Sequence, residues 1–221
     1  MEKVIITGAT GMVGKGVMLE CLESSKIEEV LVINRTSLGM QHPKLIEILL
    51  QDFQNVSSLK EKLSGYDACF FCMGVSVIGL SEEDYLRITY LTTKSFVDTL
   101  YQINPNMVFN YVSGAGTDSS ENGGTMWARV KGKTENMIFG KGFKDAYAFR
   151  PGAIIPEKGI KSKTVWYNAI YVLMRPFFPL FKKSSNITTT TKLGLAMINT
   201  LYHAQPLKIL HNCDINELSE L

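Results

Sequence analysis

The feature that most constrains the fold is the opening run Lys3-Val-Ile-Ile-Thr-Gly-Ala-Thr-Gly-Met-Val-Gly14. An apolar strand pattern, Val4-Ile5-Ile6, leads directly into Gly8, Gly11 and Gly14, and a helical pattern over Met12–Ser24 follows at once. Three glycines alone say little, because a glycine-rich turn serves many α/β folds. Between a strand and a helix each glycine has its own task. Gly8 permits a tight turn, Gly11 lets backbone approach a pyrophosphate, and Gly14 lets helix and strand pack closely. The helix N-terminus then offers free N–H groups and its positive dipole end to phosphates. The run therefore reads as a dinucleotide-binding turn, with Thr7, Gly8, Thr10, Gly11, Met12, Val13 and Gly14 around the pyrophosphate.

The rest of the chain repeats the alternation. Strand patterns fall at Lys3–Thr7, Glu29–Asn34, Leu45–Leu50, Asp67–Cys72, Met107–Val112 and Lys144–Phe149. Helical patterns lie between them at Met12–Ser24, Val56–Leu63, Glu82–Gln102 and Gly124–Phe139. Short β-rich runs separated by such helices imply a parallel sheet covered on both faces. Ser81 followed by Glu82, Glu83 and Asp84 is a helix start, with acids in the first turn. After Phe149 the pattern changes: helices near Lys163–Pro176 and Thr190–His203, a short strand at Leu207–Leu210 and a last helical turn after Asp214. With 221 residues the chain fits one domain, 1–221, in which about 150–221 form a small elaboration on the substrate side.

A net charge of +2 excludes a large nucleic-acid footprint. Cys69 and Cys72 have the spacing of a redox or metal pair. In a strand, however, positions three apart point to opposite faces, so the thiols should diverge. Buried free thiols fit a reducing cytosol, and the glycine turn begins too early for a signal peptide. The three histidines, His42, His203 and His211, show no ligand spacing, so no metal is expected. The apolar stretch Thr164–Phe181 is interrupted by Arg175, Pro176 and Pro179 and is too short to span a bilayer. It reads as a buried or interface helix, with peripheral membrane contact through Lys182-Lys183 as the lesser alternative.

In a parallel sheet, ligands sit beyond the carboxyl ends of the strands. After the second strand comes Asn34-Arg35-Thr36. An NAD site usually carries an acid there to hold the ribose 2′-hydroxyl; here Asn34 and Arg35 stand instead, and a guanidinium grips a 2′-phosphate. The expected cofactor is NADP(H) in preference to NAD(H). After the third strand, Asp52 can accept from the adenine amino group while Phe53 flanks the ring. After the fourth, Cys72-Met73-Gly74 lets backbone lie against the cofactor ribose. Ser113 follows the fifth strand, and Arg150-Pro151-Gly152 follows the sixth, placed to close over the nicotinamide end.

Together these residues resemble the short-chain dehydrogenase/reductase superfamily in its atypical and extended branch. Thr7-Gly8-Ala9-Thr10-Gly11-Met12-Val13-Gly14 is close to that branch's signature, and the likeness covers about residues 1–155. The tail, with Thr188-Thr189-Thr190 and Asn212-Cys213-Asp214-Ile215, looks like small epimerase-like or Tat-interacting-protein-like reductases. The resemblance implies a Rossmann-type, doubly wound parallel sheet. It also implies a catalytic Ser after the fifth strand and a Tyr-x-x-x-Lys on the next helix. Ser113 and Lys131 match, and Lys131 would also hold the nicotinamide ribose. The Tyr position is Trp127. An indole donates a hydrogen bond but does not titrate, so it cannot act as general acid; Trp127 is better suited to walling the pocket or stacking on a ring.

The residues then point to an NADP(H)-dependent oxidoreductase with an unusual proton supply. Its small-molecule substrate would be a quinone, a flavin or a carbonyl compound. Asp118, Ser113, Tyr85, Tyr90 and Tyr167 are the alternative proton sources. A second reading is a nucleotide-responsive regulator without turnover. A third, a sugar-nucleotide epimerase, is disfavoured by the missing Tyr and the short C-terminal part. The expected state is a cytoplasmic monomer or homodimer.

Overall fold

The computed structural model describes residues 1–160 and 184–221. The expected helix at Lys163–Pro176, the aromatic stretch Trp166–Phe181 and Tyr167 lie outside them.

Seven parallel strands form the main sheet: β1 (Glu2–Thr7), β2 (Ile27–Asn34), β3 (Leu45–Leu49), β4 (Ala68–Phe71), β5 (Val108–Val112), β6 (Asp145–Phe149) and β9 (Ile209–Leu210). Their order is β3-β2-β1-β4-β5-β6-β9. This is the doubly wound Rossmann arrangement. The winding reverses between β1 and β4, and the crevice at that switch point is where such sheets bind ligands.

The strands are apolar on both faces, so alternate residues feed two cores. Val4, Ile6, Val32 and Phe70 pack on one side with α1 (Met12–Glu23) and α5 (Thr190–Asn199). Ile5, Ile33, Phe71, Phe109 and Tyr111 pack on the other with α3 (Thr92–Ile103) and α4 (Met126–Phe139). Cys69 belongs to the second core and Cys72 to the first, so the two thiols diverge as the strand period requires, and all four cysteines are free.

Three elements depart from the sequence reading. The helix expected from Val56 is a 3-10 segment, Phe53–Leu63, kinked at Asn55 and capped by Asp52, whose carboxylate accepts from Gln54 N at 2.9 Å. The helix expected to run unbroken from Glu82 comprises α2 (Glu82–Leu86), a π-turn at Arg87–Leu91, and α3. The Thr93 hydroxyl donates to Thr89 O at 2.6 Å and that of Thr92 to Arg87 O at 3.4 Å, so side chains compete for the helix carbonyls where the ring widens. A second, two-stranded parallel sheet of β7 (Ala153–Ile155) and β8 (Ile187–Thr189) was not expected. It follows the sheet proper and leads into α5, and α6 (Asn212–Leu218) closes the described chain. Among the described residues no helix is long and apolar enough to cross a membrane.

Candidate functional site

At the switch point the glycine turn has the geometry the sequence implies. Gly8 has φ +74°, and a Cβ there would stand 2.7 Å from the Cys72 carbonyl oxygen at the end of β4. Gly11 N donates to Gly8 O at 2.9 Å. A Cβ on Gly14 would stand 2.3 Å from that same Gly8 oxygen, so only glycine lets α1 sit this close to the turn. Among the described residues no side chain caps α1, which leaves its leading N–H groups for a ligand.

In front of the turn lies a cleft of about 710 Å³. It brings together Gly8, Thr10, Gly11, Asn34, Arg35, Thr36, Asp52, Phe53, Cys72, Met73 and Gly74. Thr7, Met12, Val13 and Gly14 do not line it; Thr7 and Gly14 are buried behind the turn and shape it from below. The cleft also takes in residues the sequence reading missed: Gln54, Val75, and Arg87, Ile88 and Thr92 from the π-turned helix. The signal for the last three was their place on the helical segment that follows the β4 loop.

Asn34 is buried; its Nδ2 donates to Glu47 Oε1 at 3.2 Å, and its Oδ1 has no partner among the described residues. Glu47 lies inside a donor cage. Desolvation pushes its carboxyl up, but hydrogen bonds from Ser37, Leu38 N and Asn34 outweigh that and hold it below the usual range. Arg35 is exposed at the rim, its carbonyl tied by Gln51 Nε2 at 2.9 Å. Asp52 spends one carboxylate oxygen on the cap of the 3-10 segment.

The second half of the site lies at the ends of β5 and β6. Ser113 N bonds Phe149 O at 2.8 Å, and Ala115 N bonds Pro151 O at 3.0 Å, which sets the two strand ends side by side. Lys131 reaches back from α4 to Ser113, its Nζ donating to the backbone carbonyl at 3.1 Å. Desolvation pulls its ammonium down to about 8, against a smaller opposing pull from Glu135. Trp127, one helical turn earlier, lies 3.4 Å from where a Gly116 Cβ would stand, so its indole walls the β5–α4 loop. The Ser113 hydroxyl is buried and lies 2.9 Å from Thr117 Oγ1. Thr117 donates its own proton to Gly114 O at 2.8 Å, so Ser113 is the donor between them. In this rotamer Ser113 offers a ligand lone pairs, not a proton.

Three expectations are corrected. Arg150 does not close over a ligand: it is buried and paired with Glu135, through Nε at 3.0 Å and Nη2 at 2.5 Å, and it also reaches Ser119. A fully buried carboxylate needs that charge partner, and it turns the guanidinium inward. Asp118 is no proton donor at neutral pH, because hydrogen bonds from Ser120 and from the N–H groups of Gly123, Ser120 and Asn122 hold its carboxyl below the usual range. Tyr85 is buried, and desolvation raises its phenol. Gly152 stays exposed beside Asn212, whose Oδ1 accepts its N–H at 3.2 Å. Among the described residues no cluster of His, Cys, Asp and Glu is arranged to hold a metal.

Residues 4–122 match the model of the NAD dependent epimerase/dehydratase family, and the chain belongs to that family. Protein HTATIP2 of Rattus norvegicus is 24% identical over 181 residues, 80% of this chain and 70% of its own. Among solved structures, the Helicobacter pylori ADP-L-glycero-D-manno-heptose-6-epimerase superposes with a TM-score of 0.71 at 14% identity, over 95% of this chain and 76% of that one. The Bordetella bronchiseptica enzyme WbmH in complex with NAD+ gives 0.68 at 16% identity, over 96% and 75%. At such identities the likeness is one of fold.

Proposed function

We propose that the protein is an NADP(H)-dependent oxidoreductase acting on a small molecule. The observation that carries this is Arg35 at the rim of the glycine-turn cleft, with a neutral Asn34 where an NAD site usually keeps its acid. A dinucleotide suits the residues present. Gly8 and Gly14 let the turn fold tightly against the end of β4 and the start of α1, and among the described residues no side chain caps α1 and Asn34 Oδ1 has no partner. In this reading the turn holds the pyrophosphate, Arg35 and Thr36 take the 2′-phosphate, Asp52 and Phe53 flank the adenine, and Cys72–Gly74 supports the ribose. Lys131 holds the nicotinamide ribose. A bound nicotinamide supplies hydride chemistry; the protein orients and shields it. The same reading makes the protein a cytoplasmic monomer or homodimer that needs no nucleic acid or membrane.

Parallel fluorescence titrations with NADPH and NADH test it. NADPH should bind more tightly. Arg35→Ala should weaken NADPH by about 10- to 100-fold, the worth of a charged hydrogen bond, and leave NADH nearly unchanged. Equal affinities in the parent protein, or binding of neither, would refute the assignment. One feature favours the regulatory reading instead: Trp127 stands where the resemblance to the short-chain dehydrogenase/reductase superfamily implies a proton-donating Tyr.

A further inference from the structure

Two guanidinium groups line the glycine-turn cleft: Arg35 after β2, and Arg87 at the start of the π-turn. The lining holds one carboxylate, Asp52, which already accepts from Gln54 N. Arg87 rests on Asp84, with Nη2 donating to Oδ1 at 3.2 Å, and Asp84 lies outside the cleft lining. The two side chains are 57% and 50% exposed, and an ion pair in such open solvent holds weakly. It also occupies only part of a fork with five N–H donors. We infer that Arg87 is a second arginine of the 2′-phosphate site, closing with Arg35 on the doubly charged phosphate of a 2′-phosphorylated adenosine. The inference rests on the NADP(H) reading above.

The framework holds both arginines at the adenosine end. Gln51 Nε2 donates to Arg35 O at 2.9 Å, and Ser95 Oγ of α3 donates to Gln54 O at 2.7 Å. The rings of Phe53 and Phe96 lie 6.0 Å apart and pack the same two elements together. The short run Gln51–Gln54 therefore ties the end of β2 on one side and the helical segment after β4 on the other. That segment begins at the ligand edge of the sheet, and Arg87 stands about two helical turns ahead of Ser95, at the level of the cleft. The pyrophosphate has its own donors in the glycine turn and the α1 N-terminus, so the anion left for the arginines is the 2′-phosphate. Its three free oxygens can accept from two guanidinium forks at once. Asp84 is not stranded when Arg87 turns to the ligand, because the Ser81 hydroxyl still donates to its Oδ2 at 2.9 Å.

The test is calorimetric titration of the full chain with adenosine 2′,5′-bisphosphate and, in parallel, with adenosine 5′-monophosphate, which lacks only the 2′-phosphate. The parent protein should prefer the bisphosphate. Arg87→Ala should weaken the bisphosphate by about 10-fold or more and the monophosphate by less than about threefold. Arg35→Ala and Arg87→Ala combined should erase the preference. Lys94→Gln removes a positive charge from the same helical segment outside the cleft and should change neither affinity. A loss there equal to that of Arg87→Ala would reduce the effect to net charge and overturn the inference. Arg87 and Lys94 are both exposed, so each variant should keep the urea midpoint of the parent. An unchanged bisphosphate affinity in Arg87→Ala, or an equal loss for both nucleotides, would overturn the inference and leave the cofactor reading standing, provided Arg35→Ala still abolishes the preference. No preference for the bisphosphate in the parent protein would refute the cofactor reading itself, and the inference with it.

Discussion

Glu135→Gln is expected to destabilise the protein by about 3–5 kcal/mol, read as a drop in the urea midpoint at an unchanged slope. Glu135 is fully buried and Arg150 nearly so, and the two share a bidentate contact. Replacing the carboxylate by an amide leaves the interior guanidinium with a neutral amide oxygen and Ser119 as its partners among the described residues, and an uncompensated buried charge is the costly case. Arg150→Ala should cost a comparable amount by stranding the carboxylate. The double variant Glu135→Leu with Arg150→Met should recover most of the loss, because replacing both partners by apolar groups is often close to neutral. The affinity of folded Arg150→Met/Glu135→Leu protein for NADPH should stay near that of the parent. A large loss of NADPH affinity in that variant would return Arg150 to the ligand. A destabilisation under 1 kcal/mol for Glu135→Gln would mean the pair is far better solvated than its burial implies.

How far the sequence led follows from which interactions are local. Residues Val4 to Gly14 fix their own shape: the strand, the positive φ of Gly8 and the close approach of Gly14 all depend on neighbours a few positions away. The same holds for the strand ends at Asn34–Thr36, Asp52–Phe53 and Cys72–Gly74, which a parallel sheet brings to one edge whatever the intervening helices do. Arg150 was misread because its partner Glu135 lies on another element, and nothing in Phe149-Arg150-Pro151 announces a buried carboxylate behind it. The π-turn was missed for a related reason. Thr92 and Thr93 read as ordinary helical residues until their hydroxyls are seen bonded to Arg87 and Thr89 carbonyls, in the same turn that brings Arg87 and Ile88 to the cleft. The β7–β8 pair joins two segments far apart in the chain, each only three residues long, too short for periodicity to register.

Gly132→Ala should destabilise the protein by about 3 kcal/mol or more, against the ordinary trend of helices. In a helix interior, Gly to Ala normally gains up to about 1 kcal/mol. At Gly132 a Cβ would stand 1.8 Å from the Asp118 carbonyl oxygen and 2.5 Å from its carbon, both backbone atoms that cannot swing aside. Asp118 is also pinned to the helix by its N–H, which bonds Ala128 O at 3.1 Å, and its carboxylate organises the loop through Ser120 and Gly123. The loop therefore yields only as a unit, and it carries Ser113, Gly114 and Thr117. Because Lys131 adjoins Gly132 and reaches Ser113 O, a displaced loop should also admit water to the ammonium, relieving the desolvation that lowers it and returning the lysine toward its ordinary titration. Gly124→Ala is the control: a Cβ there meets nothing within 4 Å among the described residues, and its stability should stay within about 0.5 kcal/mol of the parent. The adenosine end of the cleft rests on β1 to β4, remote from this contact, so the surviving folded fraction of Gly132→Ala should still bind NADPH. Loss of lysine acidity with dinucleotide binding retained would separate the two halves of the site; stability equal to that of the Gly124→Ala control would mean that loop and helix are not in the contact described.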